Sequence, residues 1–333
     1  MVPFSILDLS PIIEGGSVAR SLADSRRLAQ EAEAEGYRRF WLAEHHGMAG
    51  IASAATSLVI QHVAAGTKTI RVGAGGIMLP NHAPLVIAEQ FGTLAALFPD
   101  RIDLGLGRAP GTDMQTARAL RRNLDGGADR FPQDVVELMQ FLGPPHPDRK
   151  VLAVPGANSN VPVWLLGSSH YSAHLAGMLG LPFAFASHFA PDMLLSALEI
   201  YRERFEPSQY LDRPHVMVGV MGTAAGTDAE AGHLFTSMQQ SFVQLRRGTP
   251  TAFPPPVGSM DGRWSEQERL MVEHTLQYAV VGGPETIRRK IADFLSLTGA
   301  DELIVSMPVH DIEARLRSVR LFAEAQRILA GAA

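Results

Sequence analysis

Short apolar runs separated by longer amphipathic stretches recur along almost the whole chain. Phe4–Leu9, Arg39–Ala43, Thr69–Ala74, Arg101–Gly107, Val161–Leu166, Pro182–Ala186, His215–Val220 and Glu302–Val305 each have the length and composition of a buried strand. The segments between them carry helical spacing. Residues 17–35 place Leu22, Leu28, Ala29 and Ala32 on one side, and Gly36 stops the run. Residues 53–65 read as an apolar helix ended by Gly66, and Pro84 opens a helix carrying Ile87, Phe91 and Leu94. Helices are also expected over 131–141, from the Gly167-Ser168-Ser169 turn to about Leu179, over 191–205, and over 228–245. Gly283-Pro284-Glu285 starts a helix with Ile287, Ile291 and Phe294 on one face, and a last one carries Ile312, Leu316 and Val319. Strand followed by helix, repeated this way, predicts an α/β fold with a parallel sheet and helical crossovers. The equal spacing and the closing strand–helix pair favour a TIM (β/α)8 barrel over a doubly wound sheet.

Two stretches break the rhythm. Residues 150–156 read as a small extra strand and turn. After the seventh strand, Thr249–Gly262 is rich in Pro, Gly and Ser and has no period. Loops of that length inside a domain are lids or floppy surface segments, and a mobile lid over about 246–264 is expected. No linker divides the chain, so residues 1–333 are read as one domain.

Composition narrows the function. Hydrophobic content of 46% and charged content of 19% describe a packed soluble protein. A net charge of −5 leaves no basic excess for nucleic acid. No apolar run reaches the roughly 18 residues of a membrane span, and no signal peptide is read at the start. The absence of Cys removes disulfide, thiolate and Cys-ligated metal chemistry and fits a cytoplasmic location. Twelve His leave a His/carboxylate metal site open, but no H-E-x-x-H spacing occurs, and no metal is expected.

The chemistry gathers where strands end. Glu44-His45-His46 follows the second strand directly, and titratable groups there need partners or a task. They are either a functional cluster or solvated loop residues. Gly75-Gly76 ends the third strand, where backbone could approach a flat ligand. Arg108 and Gly111-Thr112 follow the fourth. Gly167-Ser168-Ser169, with Ser172 one turn on, opens a helix after the fifth. That turn is either an ordinary cap or, with the neighbouring Arg108, a phosphate site. Gly105-Leu106-Gly107 lacks the third glycine and the partner acid of a dinucleotide fingerprint.

Phe40–His46, Val72–His82 and Arg101–Thr112, supported by Leu166–Ser169 and Gly282–Glu285, resemble the bacterial luciferase-like flavin-dependent monooxygenases, nearest to an alkanal monooxygenase-like branch. The resemblance runs from Phe4 to about Leu329. It implies a TIM barrel that forms a homodimer and takes reduced FMN from a separate flavin reductase. It implies reaction with oxygen through a C4a-peroxyflavin to oxidise a small organic substrate, aldehyde-like or other. By position, His45 would be the catalytic acid/base and Glu44 would sit near the flavin. Gly75 and Gly76 would form a bulge, with a cis peptide, under the ring. Arg108, Ser169 and Ser172 would hold the phosphate, with Gly167 and Ser168 beside them and Ala109 and Gly111 in the loop along the ribityl chain. His46 is read as support behind the site. The lid departs from the family in length and composition, and no Cys stands near the flavin, so light emission is not implied. The rival readings are a deazaflavin-dependent hydride-transfer oxidoreductase, which shares the barrel and glycine bulge, and a non-catalytic flavin-binding relative.

Overall fold

The computed structural model describes residues 2–108, 114–120, 129–148 and 150–331. Its strands are β1 (Phe4–Asp8), β2 (Arg39–Leu42), β3 (Arg71–Met78), β4 (Ile102–Gly107), β5 (Val163–Gly167), β6 (Phe183–Phe185), β7 (Val216–Ala224), β8 (Val280–Gly282) and β9 (Glu302–Ser306). Every pairing between them is parallel. β1 to β7 pair in chain order, β9 pairs with both β7 and β1, and the sheet closes. The barrel therefore has the eight strands expected, and β9 is the closing one. β8 is an addition: it pairs with Gly222–Ala224, the far end of β7, and lies outside the ring.

The helices are α1 (Val18–Ala34), α2 (Thr56–Ala64), α3 (Pro84–Leu97), α4 (Met114–Leu120), α5 (Phe131–Leu142), α6 (His170–Met178), α7 (Leu194–Arg204), α8 (Asp228–Arg246), α9 (Glu266–Thr275), α10 (Pro284–Thr298) and α11 (Ile312–Gly331). The expected helices are present, α2 three residues shorter at its start than the apolar run of 53–65. α4 and α9 were not expected. The readable signal for α9 is its capping box: the Ser265 side chain accepts from Glu268 N while the Glu268 carboxylate accepts from Ser265 N. Residues 150–156 are not a strand; they form a turn containing a cis peptide before Pro155. Proline removes a donor there and suits an irregular turn better than a ladder.

Side-chain alternation sorts the core into two layers. Outward residues such as Ile6, Phe40, Val72, Leu104, Leu165, Val218 and Leu303 join the helices' Leu28, Ile60, Phe91 and Leu138 in one large cluster. Inward residues Leu7, Trp41, Trp164, Ala184, Met217 and Ile304 form a separate plug inside the barrel. Trp41 and Trp164 meet edge to face at 5.2 Å. The barrel is thus a filled core with its ligand face at one end.

Beneath the plug lies a buried charge network. Arg39 Nη1 donates to Asp103 at 2.7 Å, and Arg39 Nε to Glu302 at 3.0 Å. Arg71 Nη2 donates to Asp103 at 2.6 Å, Trp41 Nε1 to Asp103 at 3.2 Å, and Ser5 Oγ to Glu302. Burial acts to raise the Glu302 pKa; His215, 3.7 Å away, with Arg39, Ser5 and Arg38, outweighs it and holds the carboxylate ionised.

The segment after α8 is packed in this structure. Phe253 exchanges backbone hydrogen bonds with the β1–α1 loop, to Ile12 O at 2.8 Å and from Glu14 N at 2.8 Å. Phe253 and Met260 are buried. Met260 joins Met221, Phe235, Val272 and Leu276 in a small third cluster.

The floor network predicts a specific loss. Asp103→Ala takes the shared carboxylate from Arg39 and Arg71, and breaking a buried pair costs about 3–5 kcal/mol, less here by whatever Glu302 still gives Arg39. The urea unfolding midpoint should fall accordingly; a shift worth under ~1 kcal/mol would show that the network is not holding the floor.

Candidate active site at the barrel mouth

Glu44 follows β2 at the carboxyl end of the barrel. It is 1% exposed, so its charge needs donors. The donors come from β3 and the 3-10 turn after it. Met78 N donates to Oε2 at 3.0 Å, Asn81 Nδ2 to Oε1 at 3.2 Å, and His82 Nε2 lies 3.0 Å from both oxygens. His46 Nε2 lies 2.8 Å from Oε1, so it supports Glu44 from behind. Burial acts to raise the Glu44 pKa, but His82, His46 and the Met78 N–H outweigh it, and the carboxyl titrates below its ordinary value. Glu44 is therefore a fixed anion joining the ends of β2 and β3.

The same join reaches the glycines. Glu44 N donates to Gly76 O at 3.2 Å. The Gly75–Gly76 peptide is cis, and the β3–β4 register slips between Gly75 and Ile77, which makes Gly76 the bulged residue. A Cβ on Gly76 would stand 2.7 Å from Gly105 O, and one on Gly75 would stand 2.8 Å from Leu7 Cδ1 and 3.0 Å from the Trp41 ring. Glycine is required by the close approach of β4 and the plug.

His45 stands next to this bulge. Its ring is partly exposed at the mouth, while Nδ1 is buried and has no hydrogen-bond partner among the described residues. Burial is the main cause of a pKa below the ordinary 6.5; His46 pushes the same way and Glu44 opposes. The ring is consequently neutral at neutral pH. It offers an unused nitrogen in a partly desolvated place, which suits an acid/base group.

A second group of residues lies across the mouth. Arg108 ends β4 and stacks on Tyr171, its Cζ 4.2 Å from the ring centroid, which puts the guanidinium at the first turn of α6. Ser169 is the N-cap of α6 in extended conformation, yet its side chain makes no capping bond. Ser168 is half-buried between β5 and that cap. Ser172 is buried behind Gly167, where a glycine Cβ would come 2.3 Å from Ser172 Oγ. A cation, free N–H groups at a helix start and an unused hydroxyl together make an anion seat. Ala109 and Gly111, expected in the loop beside it, lie outside the described residues.

The structure adds residues that the strand-end reading did not assign. Asn81 and His82 are partners of Glu44; both stand in the Val72–His82 stretch, but their role needs the turn at Leu79–Asn81 to fold back. His188 lies just after β6 and also has a buried Nδ1 without a partner among the described residues. The sequence held only a single histidine three positions after a short strand, without the run of titratable residues that marked Glu44-His45-His46.

These groups fit a flat, phosphate-bearing cofactor. The glycine bulge presents backbone without side chains beside His45, His45 has a nitrogen unbonded among the described residues, and the seat at α6 suits an anion. Among the described residues no group of three or more His, Cys, Asp or Glu could hold a metal ion.

Comparison with known proteins agrees. The profile of the luciferase-like monooxygenase family matches residues 2–302. The chain is 52% identical over 330 residues to a luciferase-like monooxygenase of Escherichia coli K12, covering 99% of this chain and 98% of that one. It is 54% identical over 321 residues to the uncharacterised protein YvbT of Bacillus subtilis, covering 96% and 95%. The crystal structure of apo-MsnO8 superimposes with a TM-score of 0.92 at 35% identity, covering 98% of this chain and 99% of that one. Two remoter structures share the fold. The first is the FMN complex of the oxygenating constituent of 3,6-diketocamphane monooxygenase from Pseudomonas putida (18% identical, 97% of each chain, TM-score 0.73). The second is an F420-dependent secondary alcohol dehydrogenase (15%, 97% and 98%, TM-score 0.69). On the match over residues 2–302 and the identity along almost its whole length, the chain belongs to the luciferase-like monooxygenase family.

Proposed function

We propose that the protein is a flavin-dependent monooxygenase that uses reduced FMN and oxygen to oxidise a small organic substrate, aldehyde-like or other. The observation that carries this reading is the neutral His45 imidazole, with its unpartnered Nδ1, beside the glycine bulge and opposite the anion seat. FMN, when bound reduced, supplies the electrons that activate oxygen. The chain supplies the rest. Gly75 and Gly76 present bare backbone to the ring. Arg108 and the start of α6, with Ser168, Ser169 and Ser172, hold the phosphate. Glu44 stays ionised and keeps the ends of β2 and β3 in register. His45 holds or accepts one proton at its free nitrogen, which governs whether oxygen reaches the substrate or leaves unused. Residues 246–264 serve as the lid that excludes water from the mouth.

Further parts of the reading concern partners. A separate flavin reductase delivers the reduced cofactor. The outer face of α2 and α3 carries exposed Leu58 and Leu97, 69% and 58% accessible, and forms the homodimer contact. A location in the cytoplasm fits the Cys-free sequence. The second reading, a deazaflavin coenzyme and hydride transfer, draws on the F420-dependent neighbour. Titrating the apoprotein with FMN and with the deazaflavin coenzyme separates the two: FMN should bind at least tenfold more tightly, and the reverse order would overturn the monooxygenase reading.

Three outcomes follow from the site. Arg108→Ala should weaken FMN by about tenfold to hundredfold in a fluorescence titration, the worth of a charge-assisted hydrogen bond. His45→Ala should bind FMN as the parent does yet lose coupled substrate oxidation by about 10²–10⁴-fold, with reducing equivalents diverted to hydrogen peroxide. In the parent, coupling should fall as pH drops through a midpoint below 6.5, because His45 is then protonated. A profile unchanged by His45→Ala would assign that proton to another group.

A further inference from the structure

The mouth contains a second imidazole that this reaction scheme does not use. His188 follows β6 and is held in place by several independent contacts. Ser187 Oγ donates to Gly219 O at 2.6 Å, which ties the post-β6 turn to β7. The ring lies against Gly219 so closely that a Cβ there would stand 2.4 Å from Nδ1. Phe189 meets it edge to face at 4.8 Å. The ring is thus locked on three sides, its Nδ1 turned to the β7 backbone at Gly219 and unbonded among the described residues, while the residue as a whole stays partly exposed. Burial pushes its pKa down to about 4, and neighbouring His45 pushes the same way. A neutral imidazole has one donor and one acceptor nitrogen.

The surroundings restrict what could use them. The barrel plug below is apolar: Leu7, Trp41, Trp164, Met217 and Ile304, with Leu9 and Leu166 packed on it. The charges already placed at the mouth are engaged. Glu44 is bound by its donors, and Arg108 stands at the start of α6, where the proposed reading gives it to the cofactor phosphate. A carboxylate or ammonium group brought to the two imidazoles would lose its hydration without meeting a counter-ion. An uncharged oxygen would gain a hydrogen bond.

We propose that His188 is the substrate-anchoring residue of this mouth, binding with His45 the oxygen of an uncharged and otherwise apolar molecule and disfavouring carboxylates and amines of the same size. The proposal deepens the monooxygenase reading by naming a substrate class, but the binding it describes does not require that reading. The test uses the full-length protein with labelled histidine rings, followed by NMR at pH 7 with and without FMN. The probes are 2-octanone, octanoate and octylammonium, alike in length and different in charge. 2-Octanone should shift the His188 and His45 ring signals saturably, at least tenfold more tightly than either charged probe. His188→Phe should weaken 2-octanone about tenfold, read on the His45 signal, and leave FMN affinity unchanged. His188→Gln keeps a donor and an acceptor and should restore most of that loss. Equal binding of octanoate, unchanged 2-octanone binding in His188→Phe, no recovery in His188→Gln, or loss of FMN binding in His188→Phe would each overturn the anchor. If FMN fails to bind the parent while 2-octanone still shifts His188, the flavin reading falls and the anchor stands.

Discussion

The mouth of this barrel depends on one buried negative charge. Glu44 leaves β2 at the ligand face and is sealed from water. An ionised carboxylate there is stable only while several donors converge on it. Met78 N, Asn81, His82 and His46 are those donors, and they come from the end of β3, the turn after it and the loop after β2. Satisfying the charge therefore extends the β2–β3 ladder into the turn after β3 and the loop after β2. It sets the end of β3 beside β2, and with it the Gly75–Gly76 bulge and the direction in which His45 leaves the strand.

The two ends of the barrel differ in how far their buried charges are paired. At the floor, Arg39, Arg71, Asp103 and Glu302 satisfy one another almost completely. At the mouth, His45 and His188 each keep a buried nitrogen without a partner among the described residues. An unmade buried hydrogen bond costs about 1–3 kcal/mol. His215 Nε2, beside Glu302, carries the same cost at the floor, so the unbonded nitrogens alone do not mark the mouth; the carboxyl end is where this fold generally carries function. The plug of Trp41 and Trp164 separates the two regions, so the floor stabilises the ring while the mouth is left for ligands.

Much of this was legible along the chain, for identifiable reasons. Strand and helix alternation is a local signal, because a strand buried on both faces needs an apolar run and an outer helix needs an apolar stripe. Glu44-His45-His46 stood out because three titratable residues directly follow an apolar strand. Gly75-Gly76 stood out because paired glycines end one. β8 was missed because three residues, Val280–Gly282, carry no periodic signal, and its pairing with β7 is a long-range fact. α9 was missed because Ser265 and Glu268 sit beside a stretch rich in Pro and Gly that reads as loop. His188 was missed because a lone histidine after a short strand looks the same whether it faces solvent or a cavity.

The sequence by itself determined the kind of fold, the order of its parts and the strand ends at which chemistry would gather, since these follow from the pattern and identity of neighbouring residues. Only the tertiary structure decided which partners those residues meet. His82 binds Glu44 from thirty-eight positions away, Asp103 reaches Arg39 from sixty-four, and His188 lies near His45 across the mouth. Closure of the barrel makes these encounters, because hydrogen-bond satisfaction and desolvation act on distance in space, and neither leaves a local mark in the chain.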